Sequence, residues 1–216
     1  MGKPARSIHK IGRKRVIGSF MSAKMALPVE WESQIERDFF YYLEFDDDVQ
    51  AYAAQPIRYR YTHNHKYHYH YPDVEIFRYS TNQQKFVEIK PFHVTQKLDF
   101  QEKTAAIHAQ MVIDGHDYSV VTDAQIRVEP TLNNLKLLYR YILHEYDPQN
   151  LKMFIHHLKE TGVTALTFEE LKDKAEESSF ALIDCYSFIA NKIFSFNIQE
   201  PLSPATVLTL SIKAAE

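Results

Sequence analysis

The sequence predicts an α/β fold, a mixed sheet flanked by helices, followed by a mainly helical C-terminal module. Three observations carry this. Between residues 57 and 90, short runs alternate apolar and polar residues, the period of half-buried strands. On both sides of that region, apolar residues recur at helical spacing. From Leu132 onward the pattern is helical until two short apolar runs near the end. The expected organisation is a basic arm over 1–27, an α/β domain over 28–129 and a helical domain over 130–216.

The elements follow in order. Pro28 to Leu43 reads as a helix, with Ile35, Phe39, Phe40 and Leu43 forming its apolar face. Val49 to Pro56 reads as a connector, because Pro56 biases its predecessor toward extended backbone. Ile57–Tyr61 is a strand, His63–Lys66 a turn, and Tyr67–Tyr71 a second strand that continues through Phe77. That hairpin should place tyrosines on one face and histidines on the other. Ser80–Gln84 is a turn and Lys85–Lys90 the next strand. A helix over 97–116 and a strand over 118–122 complete the α/β domain. Helices are then expected over 132–146, 148–161, 167–177 and 179–193, with strands at 194–198 and 206–210. Thr167 and Glu170 are spaced as a capping box. Helices followed by a hairpin suggest a winged-helix-like module. Its presumed third helix sets Lys172 and Lys174 among Glu169, Glu170, Asp173, Glu176 and Glu177. That charge balance favours protein docking over DNA contact.

Composition narrows the class. Gly is scarce at 5 residues and aromatics reach 13%, which argues against disorder. The single Cys185 rules out a disulfide framework and a Cys-based zinc site, and it suits a reducing, cytoplasmic setting. No stretch is long and apolar enough to span a membrane, and the first residues lack the apolar core of a signal peptide. The net charge of −3 argues against a generic polyanion binder. Charge is unevenly spread, however. Lys3, Arg6, Lys10, Arg13, Lys14, Arg15 and Lys24 all precede the first acidic residue, Glu30. Such an arm is either a phosphate-contacting segment or a solvated tail.

One constellation carries chemistry. Pro72-Asp73 opens one strand, and Glu88-Ile89-Lys90 closes the next. Glu88 and Lys90, two apart, share a strand face. Glu36 would arrive from the preceding helix, with Glu32 one turn away as a second candidate. Paired carboxylates are hard oxygen ligands suited to Mg²⁺ or Mn²⁺. A lysine beside them can orient water and meet negative charge in a phosphoryl transition state. The bland reading of the same residues is a set of exposed ion pairs. His63, His65, His68 and His70 raise a rival, a Zn²⁺ or Ni²⁺ site, since His-x-His directs two rings one way. They also suit a polar sheet face or a DNA-facing rim.

The order of these segments resembles the TnsA endonuclease family of heteromeric transposons, in particular the short members found in CRISPR-associated transposons. The resemblance runs from about Gly18 to the C-terminus. It rests on the Trp31–Val49 stretch, Gln55-Pro56-Ile57, Tyr71-Pro72-Asp73 and Glu88-Ile89-Lys90-Pro91. It implies a restriction-endonuclease-like fold of the PD-(D/E)xK superfamily. Glu36, Asp73 and Lys90 match the family's glutamate, aspartate and lysine. Glu88 stands where the founding member has Gln, so the chain here follows the wider Glu-x-Lys pattern. The resemblance also implies a metal-dependent DNA endonuclease subunit that cuts the 5′ ends of transposon-end duplex DNA. Asp73, Glu88, the Ile89 carbonyl and Glu36 would ligate Mg²⁺, for which Mn²⁺ can substitute. A TnsB-like transposase would process the 3′ ends, and a TnsC-like ATPase regulator would bind nearby. The resemblance sets Thr122-Asp123 at a strand end near the site, although Asp123 also suits a helix cap. Two other classes remain open: a stand-alone restriction or repair nuclease of the same superfamily, and a non-catalytic binding module.

Overall fold

The computed structural model describes residues 17–211. These fall into two compact units that meet between Val128 and Glu129.

The first unit opens with a hairpin, β1 (Gly18–Ser22) and β2 (Leu27–Trp31), then α1 (Gln34–Phe45). Residues 18–22 were expected in the basic arm and residues 28–31 in a helix. They are instead antiparallel strands, with Phe20 paired to Val29. The alternation of buried Val29 and Trp31 with exposed Pro28 and Glu30 is a strand period that the neighbouring helical pattern masks. Lys24 sits in the tight turn of this hairpin, and its Nζ donates to the Asp46 carbonyl at 2.9 Å. The other six basic residues of the expected arm lie outside the described residues. Helix α1 starts late because Ser33 is its N-cap, accepting from the Glu36 N–H at 3.2 Å. The buried Glu44 carboxylate locks the hairpin to α1. It accepts from Ser22 Oγ and Tyr52 OH, both at 2.6 Å, and from the Ala23 and Lys24 N–H groups.

The central sheet contains β3 (Val49–Ala54), β6 (Val74–Arg78), β7 (Gln84–Lys90) and β8 (Asp117–Thr122), in that spatial order. Strands β3, β6 and β7 are antiparallel neighbours, and β7 and β8 run parallel. The segment 49–54, expected as a connector, is thus an edge strand with Val49 and Tyr52 buried. Its alanines give it a weak alternation.

A separate two-stranded sheet holds β4 (Tyr59–His63) and β5 (Lys66–His70). Asn64 and His65 both have positive φ, 49° and 58°, as a two-residue type I′ turn requires. Strand β5 does not continue into β6. The chain breaks at Tyr71-Pro72-Asp73 and changes sheets, because Pro72 cannot donate to a ladder. The faces of the hairpin also differ from expectation. Tyr59 and Tyr61 pair with His70 and His68 on the inner face, and Arg60 and Thr62 pair with Tyr69 and Tyr67 on the outer face. Tyrosines and histidines segregate on β5 alone.

Short α2 (Phe92–Thr95) and long α3 (Leu98–Ile113) cross from β7 to β8. Tyr59, Tyr61, Phe86, Ile107, Met111 and Tyr118 form one buried cluster that clamps the hairpin between α3 and the sheet. The Tyr59 hydroxyl donates to Asp114, beyond the end of α3. Short α4 (Asp123–Ile126) closes the unit.

The second unit contains α5 (Thr131–Tyr139), α6 (Pro148–Glu160), β9 (Ala165–Thr167), α7 (Phe168–Glu177), α8 (Leu182–Ala190), β10 (Phe194–Ser195) and β11 (Val207–Leu210). The last two strands pair as expected, and β9 adds a third strand against β11. That strand is only three residues long, too short to show a period. Helix α5 ends at Tyr139, short of the expected 146. The capping box is present: Thr167 Oγ1 accepts from the Glu170 N–H, and Glu170 accepts from the Thr167 N–H. The core is aromatic, with Phe188 packed against Tyr146, Phe154, Phe180 and Phe194.

Candidate active site

The site forms where β6 begins and β7 ends. Val74 pairs with Val87, so one step further along the ladder Asp73 faces Glu88. Strand β7 is buried along its middle, with Val87 and Ile89 on one face and Phe86 and Glu88 on the other. Phe86 belongs to the cluster beneath the hairpin, so Glu88 and Lys90 point to the same side as β4 and β5.

Lys90 Nζ lies between the two carboxylates, 2.9 Å from Asp73 Oδ2 and 2.7 Å from Glu88 Oε1. It also donates to the Ile89 carbonyl at 3.1 Å. The Ile89 N–H donates to Asp73 Oδ2 at 2.7 Å. Asp73, Glu88, Ile89 and Lys90 thus converge on one point, as the sequence motif anticipates. They line an open pocket with Glu32, Glu36, Gln55, His70 and Lys103 among its walls.

Burial and charge set the protonation states. Burial pushes the Asp73 carboxyl up to about 7, and the adjacent Glu88 charge adds to this against the pull of Lys90. Burial also opposes ionisation of Glu88, but His70 and Lys90 outweigh it and hold Glu88 below the usual carboxylate range. Burial disfavours the Lys90 ammonium, yet Asp73 and Glu88 more than compensate, so its pKa rises and it stays charged. Two neighbouring carboxyls are therefore pushed in opposite directions, a pattern common where proton inventory matters.

Glu36 stands on the wall of the same pocket. Its oxygens accept from the Glu32 N–H and from Ser33 Oγ, each at 2.8 Å, closing the start of α1. Burial raises its pKa, partly offset by those hydrogen bonds and by Lys90. Glu36 is thus electrostatically part of the site while serving the helix end. Glu32 lines the pocket too.

The histidines do not gather. His68 packs on Tyr61 at 5.6 Å, His63 meets His68 edge-on at 6.1 Å, and His65 lies in the turn. Among the described residues, no three His, Cys, Asp or Glu side chains form a ready-made metal cage. Strand β8 ends at Thr122, which pairs with Lys90, so Thr122-Asp123 stands at a strand end near the site as the resemblance implies. Asp123 is outside the pocket lining, and the N-cap of α4 is Thr122. Asp123 accepts from the Phe92 N–H at 2.7 Å, tying the end of β8 to the start of α2.

Three pocket residues were not assigned to this site from the sequence. His70 Nε2 lies 3.1 Å from Glu88 Oε2, yet neither buried atom makes a properly directed hydrogen bond. Gln55 is buried, adopts a left-handed φ of 45°, and leaves its Oε1 unpartnered at the pocket wall. Its N–H donates to the Asp73 carbonyl at 3.0 Å, which fixes it beside the site. Lys103 reaches the pocket from α3. The Gln55-Pro56 pair was the available signal for one of these; burial and an unmet acceptor leave no mark in sequence.

The donor set fits a hard divalent cation. Asp73, Glu88 and the Ile89 carbonyl offer only oxygen, and the buried Glu88 Oε2 and Gln55 Oε1 lack donors that a hydrated cation would supply. Two carboxylates and a lysine meet at the ends of adjacent strands, within a mixed sheet flanked by helices that is consistent with a restriction-endonuclease-like fold. Residues 46–123 match the family model described as TnsA-like endonuclease N terminal, which supports a TnsA-type endonuclease. That stretch contains Asp73, Glu88, Ile89 and Lys90 and begins after Glu36. No curated protein matches the chain. Among the described residues, no helix is long and apolar enough to cross a membrane.

Proposed function

We propose that this protein is the metal-dependent DNA endonuclease subunit of a heteromeric transposase. In this reading it hydrolyses phosphodiesters at the 5′ ends of transposon-end duplex DNA, while a TnsB-like transposase processes the 3′ ends and a TnsC-like ATPase binds nearby. The observation that carries the reading is the Lys90 ammonium held between Asp73 and Glu88 within a segment that matches the TnsA-like model.

Asp73, Glu88 and the Ile89 carbonyl would hold Mg²⁺ or Mn²⁺, with Glu36 on a second ion or on a water. A bound ion of this type lowers the pKa of water and offsets charge on the phosphate. The chain's own residues do the rest. Lys90, freed from one carboxylate, donates to the attacking water or to the phosphoryl oxygens. Gln55 Oε1 accepts a hydrogen bond from a water in the pocket. Lys103 adds positive charge where DNA would enter. In the second unit, the acidic surface of α7 favours a protein partner over DNA. Its order α6, β9, α7, α8, β10, β11 supports a winged-helix-like reading.

The test is strand-specific mapping of cleavage by the reconstituted transposase with Mg²⁺. Asp73→Ala and Lys90→Ala should each lose the 5′-end cuts while 3′-end joining persists. Persistent 5′ cutting in both variants would remove the site from the reaction.

A further inference from the structure

From Val49 to Pro72 the chain carries no acidic residue, although the protein as a whole is net negative. The β4–β5 hairpin concentrates this excess on one exposed face. Arg58 stacks on Tyr69, its guanidinium carbon 3.6 Å from the ring centre, and Arg60 lies over Tyr67 at 4.9 Å. Tyr67 and Tyr69 are 72% and 52% exposed, so these rings are not core residues. Neither arginine has a carboxylate partner among the described residues. The other described arginines of this unit, Arg37, Arg78 and Arg127, all pair with aspartates.

We propose that the outer face of this hairpin is a duplex-DNA backbone clamp that sets which phosphodiester reaches the Asp73–Glu88–Lys90 site. This rests on the nuclease reading above and adds the surface that positions the substrate. The chemistry selects phosphate. A guanidinium stacked on a ring keeps its edge N–H groups pointing outward in a fixed plane, and phosphate is the anion that fork suits. Arg58 and Arg60 are two residues apart, about 7 Å along a strand, which lets them take neighbouring phosphates of one DNA strand. Tyr67 and Tyr69 hydroxyls add neutral donors.

Position supports the same conclusion. The inner face of the hairpin is fixed by Tyr59 and Tyr61 in the buried cluster and by the Tyr59–Asp114 hydrogen bond. The ladder thus stands on a rigid support. Its Tyr69 end forms part of the pocket wall beside His70 and Asp73. A backbone held along the ladder therefore runs directly into the site. Contacts of this kind carry no base readout, so the clamp fixes distance rather than sequence.

The experiment is a salt titration of duplex binding, read by fluorescence anisotropy on the full chain. It compares wild type with the Arg58→Gln/Arg60→Gln and Arg58→Lys/Arg60→Lys double variants. Transposon-end and unrelated duplexes are both used, with thermal melting as the folding control. Loss of two phosphate contacts should flatten the slope of log K against log salt by about 1.8. Affinity at low salt should fall at least about tenfold, equally for both duplexes. The lysine variant should restore the slope, because it keeps both charges. An unchanged slope in the glutamine variant, no duplex binding by wild type at low salt, or no rescue by lysine would overturn the proposal. So would intact DNA binding combined with lost capture of the partner transposase, which would make the face a protein contact. Asp73→Ala cleavage separates the two levels. If that variant still cuts, the nuclease reading fails whatever the hairpin does. If it does not cut and the slope is unchanged, only the clamp fails.

Discussion

The two units treat their polar groups differently. In the second unit, buried polar side chains have partners. Asn134 Nδ2 donates to the carbonyls of Ile198 and Glu200, Ser187 donates to His144, and α7 begins in a reciprocal capping box. Among the described residues of the first unit, six buried side-chain atoms lack a well-directed hydrogen bond, those on Trp31, Arg37, Gln55, His70, Glu88 and Tyr118, although the His70 and Glu88 atoms face each other at 3.1 Å. Three of these residues, Gln55, His70 and Glu88, line the pocket beside Asp73, and the Tyr118 ring lies 6.0 Å from that of His70. No described residue of the second unit appears among the six. An unmet buried polar group costs stability, so a cluster of them marks a place shaped for something other than folding. Glu44 and Glu88 make the point within one unit. Both are buried glutamates, but Glu44 is saturated by four donors, and one oxygen of Glu88 faces only His70 Nε2, at 3.1 Å and without a well-directed hydrogen bond.

The strongest way to break this comparison is to disable the carboxylate–lysine site that the unsatisfied groups surround. Asp73→Ala should reduce 5′-end cleavage by at least about 10³-fold in single-turnover assays, because it removes a carboxylate that would hold the metal on which the chemistry depends. Lys90→Ala should do the same and should also lower the melting temperature, because it strands two buried carboxylates. The second unit should respond through stability instead. Phe188→Ala, deep in its aromatic core, should cost about 3–5 kcal/mol in chemical denaturation.

A pH comparison sharpens the contrast further. The Asp73 carboxyl is raised to about 7, above its unfolded value. The folded state therefore holds this proton more tightly, and the resulting stabilisation is lost as pH rises from about 4 through 7. Asp73→Asn removes this dependence. Its stability relative to wild type should therefore be more favourable at pH 8 than at pH 5, as read by melting temperature.

Smaller effects follow. Gln55→Ala should leave the melting temperature within a few degrees of wild type, because it deletes an unpartnered acceptor. It should nonetheless lower cleavage roughly tenfold, a modest loss for an orienting group. Thr167→Ala removes the capping box of α7 and should cost about 1 kcal/mol with no change in cleavage chemistry.

The legible parts of the molecule were those with local signals. The Pro72-Asp73 and Glu88-x-Lys90 pattern placed four groups at one point, because strand periodicity and one hairpin register suffice to join them. The turn over His63–Lys66 and the Thr167 capping box were readable for the same reason. The β1–β2 hairpin was not, since Leu27–Trp31 is short and abuts a strong helical pattern. Strand β3 was hidden by its alanines and by Pro56. The inner and outer faces of β4–β5 depended on pairing register, which a single strand does not reveal. Gln55 and His70 were named but not joined to the Asp73–Glu88–Lys90 site, because their place there depends on burial and packing, a property of the folded state.

The most direct test of the central claim is divalent-cation binding at the cluster of unmet oxygens, measured by Mn²⁺ electron paramagnetic resonance titration of wild type, Asp73→Asn and Glu88→Gln. The account predicts saturable binding by wild type, weakened at least about tenfold in each variant and restored by no other change in the pocket. Equal binding by all three proteins, or none by wild type even with duplex DNA present, would contradict it.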